Sequence, residues 1–233
     1  MSTKSRVIPE SAVPQQCRLV DILLKKADPV VQSIKDEARK GIKATKDAWY
    51  QASYDAFLPK EHRAPETPEQ FLRIVAYAYA WVPTIGTLSP AFSFPTISHA
   101  IREIAIRERQ VPYNPRDVQT ARRDTVQAIQ AALGTKSPAS VVVASKILHF
   151  WDRSLAPMID RNIAKAWKRL AADREWKDAL GEMPGFSNLR ISLSPGMNAY
   201  LKYWEFAYQL RKCSEQFDYR RLDELMFCYG RQK

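Results

Sequence analysis

The chain has 233 residues, 45% of them hydrophobic and 26% charged, with a formal net charge of +11. Such a composition excludes wholesale disorder and supplies a substantial core for one large domain or two small ones. The positive excess calls for an acidic partner, for which nucleic acid, an anionic membrane and an acidic protein are the candidates.

Residues 1–15 are polar, contain proline and lack a period, so they read as a flexible N-terminus. An N-terminal helical part over 16–95 and a second helical domain over 96–233 are expected to follow. Asp28-Pro29 opens a long amphipathic helix. Val31, Ile34, Ala38, Ile42 and Trp49 share one face, and Lys35, Arg39, Lys43 and Lys46 share another. The second face reads as a solvated basic surface rather than a phosphate-binding stripe. Thr67-Pro68-Glu69-Gln70 spells a capping box and predicts a helix to about Tyr79. Residues 81–95 are rich in proline, glycine and serine and read as a loop between the two parts. A helix resumes over 97–109.

Asn114-Pro115 opens the next helix, which Gly134 stops. Ser137-Pro138 opens another, running to about Trp151, and the short connection makes the two a hairpin. A turn over 152–159 leads to a helix that begins at Asp160. Residues 173–195 read as a short helix and a loop. The helix over 196–212 carries Tyr200, Tyr203, Trp204, Phe206 and Tyr208, most of which must be core. A last helix covers about 219–228. The one run of three β-branched residues, Val141-Val142-Val143, lies inside a helical pattern, so the expected fold class is all-α.

Three features within 134–162 can carry chemistry. Gly134-Thr135-Lys136-Ser137-Pro138 precedes a helix start, whose unpaired N–H groups and dipole favour a phosphate, with Lys136 as an added cation. That would hold a nucleic-acid backbone without reading its sequence. A plain interhelical loop is the alternative. Next, Ala144, Ile147, Leu148, Trp151 and Leu155 form an apolar stripe, while Lys146, His149 and Arg153 lie at i, i+3 and i+7 on a different face. This second face suits an anion or simply water, and Ser145, Arg161 and Asn162 are further candidate phosphate contacts. Finally, Asp160 is placed as an N-cap, where backbone N–H bonds and the helix dipole favour its ionised form. A carboxylate so held can stabilise positive charge on a sugar or orient a water. A purely structural cap is the alternative.

The run VVVASKILHFWDRSLAPMIDRNIAKAW, residues 141–167, resembles the hairpin-and-aspartate region of the helix-hairpin-helix DNA glycosylase superfamily, in particular its 8-oxoguanine glycosylase-like branch. The resemblance implies a two-lobed helical domain with a helix-hairpin-helix-like segment over 115–172. It further implies a hairpin that grips DNA, a flipped base held between lobes, and Asp160 as the catalytic aspartate. Two departures qualify it. Only Gly134 is present where the family's hairpin has two glycines. Aligned through Ala144, Val142 stands where bifunctional members carry a nucleophilic lysine, with Lys146 one turn further on. The expectation is therefore a monofunctional DNA N-glycosylase with Asp160 and Lys146 as catalytic candidates and Trp81 or Phe92 stacking on the base. A non-catalytic nucleic-acid-binding subunit, or a helical interaction domain for an acidic protein, is the alternative.

Cys17, Cys213 and Cys228 are odd in number and far apart, and His62, His99 and His149 lack ligand spacing. Neither a disulfide framework, nor a metal, nor a cofactor is expected. The N-terminus lacks an apolar signal core and no stretch approaches a membrane span, so the expected protein is soluble, cytoplasmic and independent of membrane.

Overall fold

The computed structural model describes residues 15–39, 64–80, 89, 92–134, 138–183, 185–213 and 217–232. Among them every regular element is helical and there is no strand, so the chain is all-α.

The first helix, α1 (Gln15–Arg39), begins well before the expected start at Asp28-Pro29. Leu19, Val20, Ile22, Leu23, Ala27 and Val31 are all buried, so one apolar stripe runs through the proline. Pro29 itself faces solvent, on the side of the helix away from that stripe. Of the expected faces, Val31 is core and Lys35 pairs with Glu224 at 2.7 Å. The side chains of Ala38, Arg39, Ile42, Lys43, Lys46 and Trp49 lie outside the described residues.

In α2 (Pro68–Ala80), Thr67 Oγ1 accepts from Gln70 N at 3.3 Å, and Gln70 Oε1 accepts from Glu66 N at 2.7 Å. The reciprocal contact of the capping box thus lands one residue early. α3 (Phe94–Arg109) starts three residues before the expected position because Ser93 caps it and Pro95 fits its first turn. α4 (Pro115–Ala132) is capped by Asn114 and is followed by Gly134 at φ 65°. Then come α5 (Pro138–Trp151), α6 (Arg161–Ala172) and α7 (Arg174–Gly181). α8 (Met197–Arg211) and α9 (Tyr219–Arg231) complete the described helices.

The helices sort into two groups. α1, α6, α7 and α9 pack together, as do α2, α3, α4 and α5, while α8 touches members of both. This grouping does not follow the expected division into 16–95 and 96–233. α1 packs on the C-terminal helices and α2 packs on α5, and a single hydrophobic cluster runs from Leu19 to Cys228. At the crossing of α6 and α9 the backbones approach so closely that a Cβ on Gly230 would lie 1.9 Å from the Asn162 carbonyl oxygen.

Candidate functional site

The connection from α5 to α6 decides where Asp160 sits. Leu155, Ala156, Met158 and Ile159 are buried, so the backbone of this segment must find its hydrogen bonds inside the protein. Three helices supply them. From α5, His149 Nδ1 donates to Ala156 O at 2.8 Å, and Ser145 Oγ accepts from Ile159 N at 3.1 Å. From α8, the Tyr200 hydroxyl donates to Pro157 O at 3.1 Å. From α9, Asp223 Oδ2 accepts from Met158 N at 2.9 Å.

So anchored, the segment delivers Asp160 to the start of α6 with extended backbone. Asp160 Oδ1 accepts from Asn162 N at 2.8 Å and from Ile163 N at 3.0 Å, satisfying two of the donors that a helix start leaves open. Its other oxygen, Oδ2, stands 3.8 Å from Lys146 Nζ. The Asp160 side chain retains 17% exposure, whereas that of Lys146 retains 4%.

Burial sets the charges around this pair. It lowers the affinity of the Lys146 amine for its proton, against the attraction of Asp160 and Asp223. It pushes the His149 imidazole down to about 4, so the ring is neutral near pH 7 and the proton sits on Nδ1, facing Ala156 O. His149 Nδ1 also lies 3.3 Å from Asp223 Oδ2. With the ring neutral and its Nδ1 proton on Ala156 O, that contact is not an ion pair. Burial raises the Asp223 carboxyl well above the usual range, with Asp160 adding to the effect and Met158 N–H and Lys146 opposing it. Asp223 Oδ1 and the Tyr203 hydroxyl are buried without a hydrogen-bond partner among the described residues. The site therefore sets the Lys146 and Asp160 side chains against each other at the start of a helix, backed by buried polar groups.

The expected basic face of α5 is not a surface. Ser145, Lys146 and His149 are all buried, and only Arg153 keeps partial exposure. α5 is packed by α2, α4 and α8 and by the 155–160 segment, so its polar side chains find partners inside the core. Ser145 and His149 hold backbone and do not reach a phosphate. Gly134 is exposed, Arg161 is exposed and Asn162 is half-buried. Lys136 and Ser137 lie outside the described residues, as does Trp81. Phe92 stacks on Phe71 with ring centroids 5.5 Å apart and planes at 6°, so it belongs to core packing rather than to a base platform. Asp223 escaped the sequence reading. Its only local signal is a carboxylate within the apolar stripe of Leu222, Leu225 and Met226.

Among the described residues, no group of three or more His, Cys, Asp or Glu side chains is placed to hold a metal. No described helix is long and apolar enough to cross a membrane. Fold and site together define an all-α protein with a lysine–aspartate pair at a helix N-terminus. Comparison with protein families, curated proteins and solved structures returns no match to this chain.

Proposed function

We propose that the chain is a DNA-binding, helix-hairpin-helix glycosylase-like protein that hydrolyses the N-glycosidic bond of a flipped modified or damaged base. The observation that carries this reading is the Lys146–Asp160 pair, 3.8 Å apart at the start of α6. α4 and α5 act as the hairpin, with Gly134 in its turn. Asp160 stabilises the oxocarbenium-like sugar and orients the attacking water. The water oxygen bonds to the sugar carbon, the carbon–nitrogen bond breaks, and its electron pair leaves with the base. The proton released by the water passes to the departing base through solvent. Lys146 faces the outer oxygen of Asp160 and holds that side chain in place as charge develops on the sugar. Gly134, Lys136, Ser137, Arg153, Arg161 and Asn162 contact the DNA backbone in this reading.

Base release from a panel of duplexes carrying damaged and modified bases tests it, with the parent set against Asp160→Asn. Release by the parent and its loss in the variant is the expected result, whereas equal release by both removes Asp160 from the mechanism. The near-complete burial of Lys146 favours a second reading, a non-catalytic nucleic-acid-binding subunit in which the pair clamps α5 to α6. That reading predicts salt-dependent duplex binding without release of any base.

A further inference from the structure

The charges of α1 and α6 meet different fates on folding. On α1, Arg18 pairs with Glu182 at 3.6 Å, Lys25 with Glu175 at 3.8 Å, Lys26 with Asp173 at 2.6 Å and Lys35 with Glu224 at 2.7 Å. α6 carries Arg161, Lys165, Lys168 and Arg169 and no acidic residue. Arg169 turns inward and donates to the carbonyls of Tyr229 and Gln232 at the end of α9. The other three are exposed, and none makes a hydrogen bond or ion pair among the described residues. At 100° per residue they fall within an arc of about 60°, and at 1.5 Å per residue they span about 10 Å of helix. Like charges at this spacing repel one another, so the row is destabilising until an anion meets it.

We infer that the outer face of α6 is a phosphate track, on which Arg161, Lys165 and Lys168 each meet the backbone of the bound DNA. This rests on the DNA-binding reading above and adds where the backbone lies. The three residues repeat along one face of a single helix at spacings of four and three, which fits a regular polyphosphate better than the irregular carboxylates of an acidic protein. Duplex DNA presents about one charge per 1.7 Å of axis, so a span of about 10 Å meets enough phosphates for all three side chains. The track begins at Arg161, next to Asp160, and a backbone lying along it passes the Lys146–Asp160 pair. Surface cations of this kind position a duplex without reading its sequence.

The test is the salt dependence of binding to a labelled mixed-sequence duplex, read by fluorescence anisotropy between about 50 and 200 mM salt. Three proteins are compared: the parent, the triple variant Arg161→Gln, Lys165→Gln, Lys168→Gln, and the control Arg102→Gln, Arg109→Gln, Arg116→Gln. The control removes three exposed arginines from α3 and α4 and lowers the net charge equally. The α6 triple should reduce the slope of log K against log salt by about 2.7, or 0.9 per lost contact, while the control keeps the slope of the parent. Equal slopes for the two triples overturn the track and leave DNA binding standing. A parent with no salt-dependent duplex binding overturns the DNA-binding reading and the track with it.

Discussion

Gly230→Ala puts the tightest contact of the fold to the test. The added methyl would sit 1.9 Å from the Asn162 carbonyl oxygen, 2.7 Å from its carbon and 3.1 Å from Ala166 N. All three are backbone atoms in the first turns of α6, so no change of rotamer relieves the clash. To reach the 3.4 Å of ordinary contact, α6 must withdraw by about 1.5 Å. Ile163, Ala164 and Ala166, buried in the same turns of α6, would be displaced with it. Overpacking a core costs about 1–3 kcal/mol and more where neighbours cannot move, against a helix-propensity gain of about 1 kcal/mol for alanine over glycine. The expected net loss is about 2 kcal/mol, or a fall in Tm of roughly 4–8 °C for a chain of this size. Thermal melts followed by circular dichroism measure it. A variant that melts at or above the temperature of the parent, as propensity alone would have it, refutes the close approach of α6 and α9.

Arg122 is fully buried, 2.7 Å from Glu108 and 2.6 Å from Glu205, with its guanidinium over the rings of Trp204 and Tyr208. Arg122→Met strands two carboxylates and should cost about 3–5 kcal/mol in a urea melt, with much of the loss recovered when Glu108→Gln and Glu205→Gln are added. His149 titrates at about 4 in the folded protein because it is buried, and near 6.5 when unfolded, so the unfolded chain takes up the proton first. Its contribution is complete above about pH 6.5 and is lost as pH falls toward 4, by up to about 3 kcal/mol, and His149→Gln should flatten that limb of a denaturant series. Asp223 acts in the opposite sense, since its carboxyl is raised by burial: its contribution is complete below pH 3.8 and is lost as pH rises. Asp223→Asn should accordingly gain stability over the parent with increasing pH. Burial and the neighbouring Cys17 thiol push Cys213 up to about 12. Iodoacetamide at pH 8 should therefore leave Cys213 unmodified in the folded protein and alkylate it in urea, as read by peptide mass.

Local signals located most of the helices. Asn114-Pro115 and Asp160 act as caps through hydrogen bonds made within three residues, and such bonds are written in neighbouring sequence, whereas the Ser93 cap lay inside the segment read as a loop. α1 was harder because a proline that starts a helix and a proline on the solvent side of one look alike until the far wall of the core is known. α5 misled for a related reason. Lys146 and His149 look like a polar face, but their partners come from the α5–α6 connection and from Asp223, more than 60 residues further along. Asp160 and Lys146 were each readable as candidates. Their pairing depends on how tightly the 155–160 segment is drawn into the core, which Tyr200 and Asp223 control from distant helices. The basic row of α6 is visible as a spacing, but only tertiary structure separates it from the neutralised row of α1.

The most direct measurement is single-turnover base release by the parent and by Asp160→Asn on a duplex that the parent cleaves. Asparagine keeps an oxygen to accept from Asn162 N and Ile163 N, so the cap and the fold persist while the charge facing Lys146 disappears. With Asp160 as the group that steadies the sugar, release falls by about 100-fold or more at unchanged duplex affinity. Release at the rate of the parent would reduce Asp160 to a helix cap and contradict the assignment.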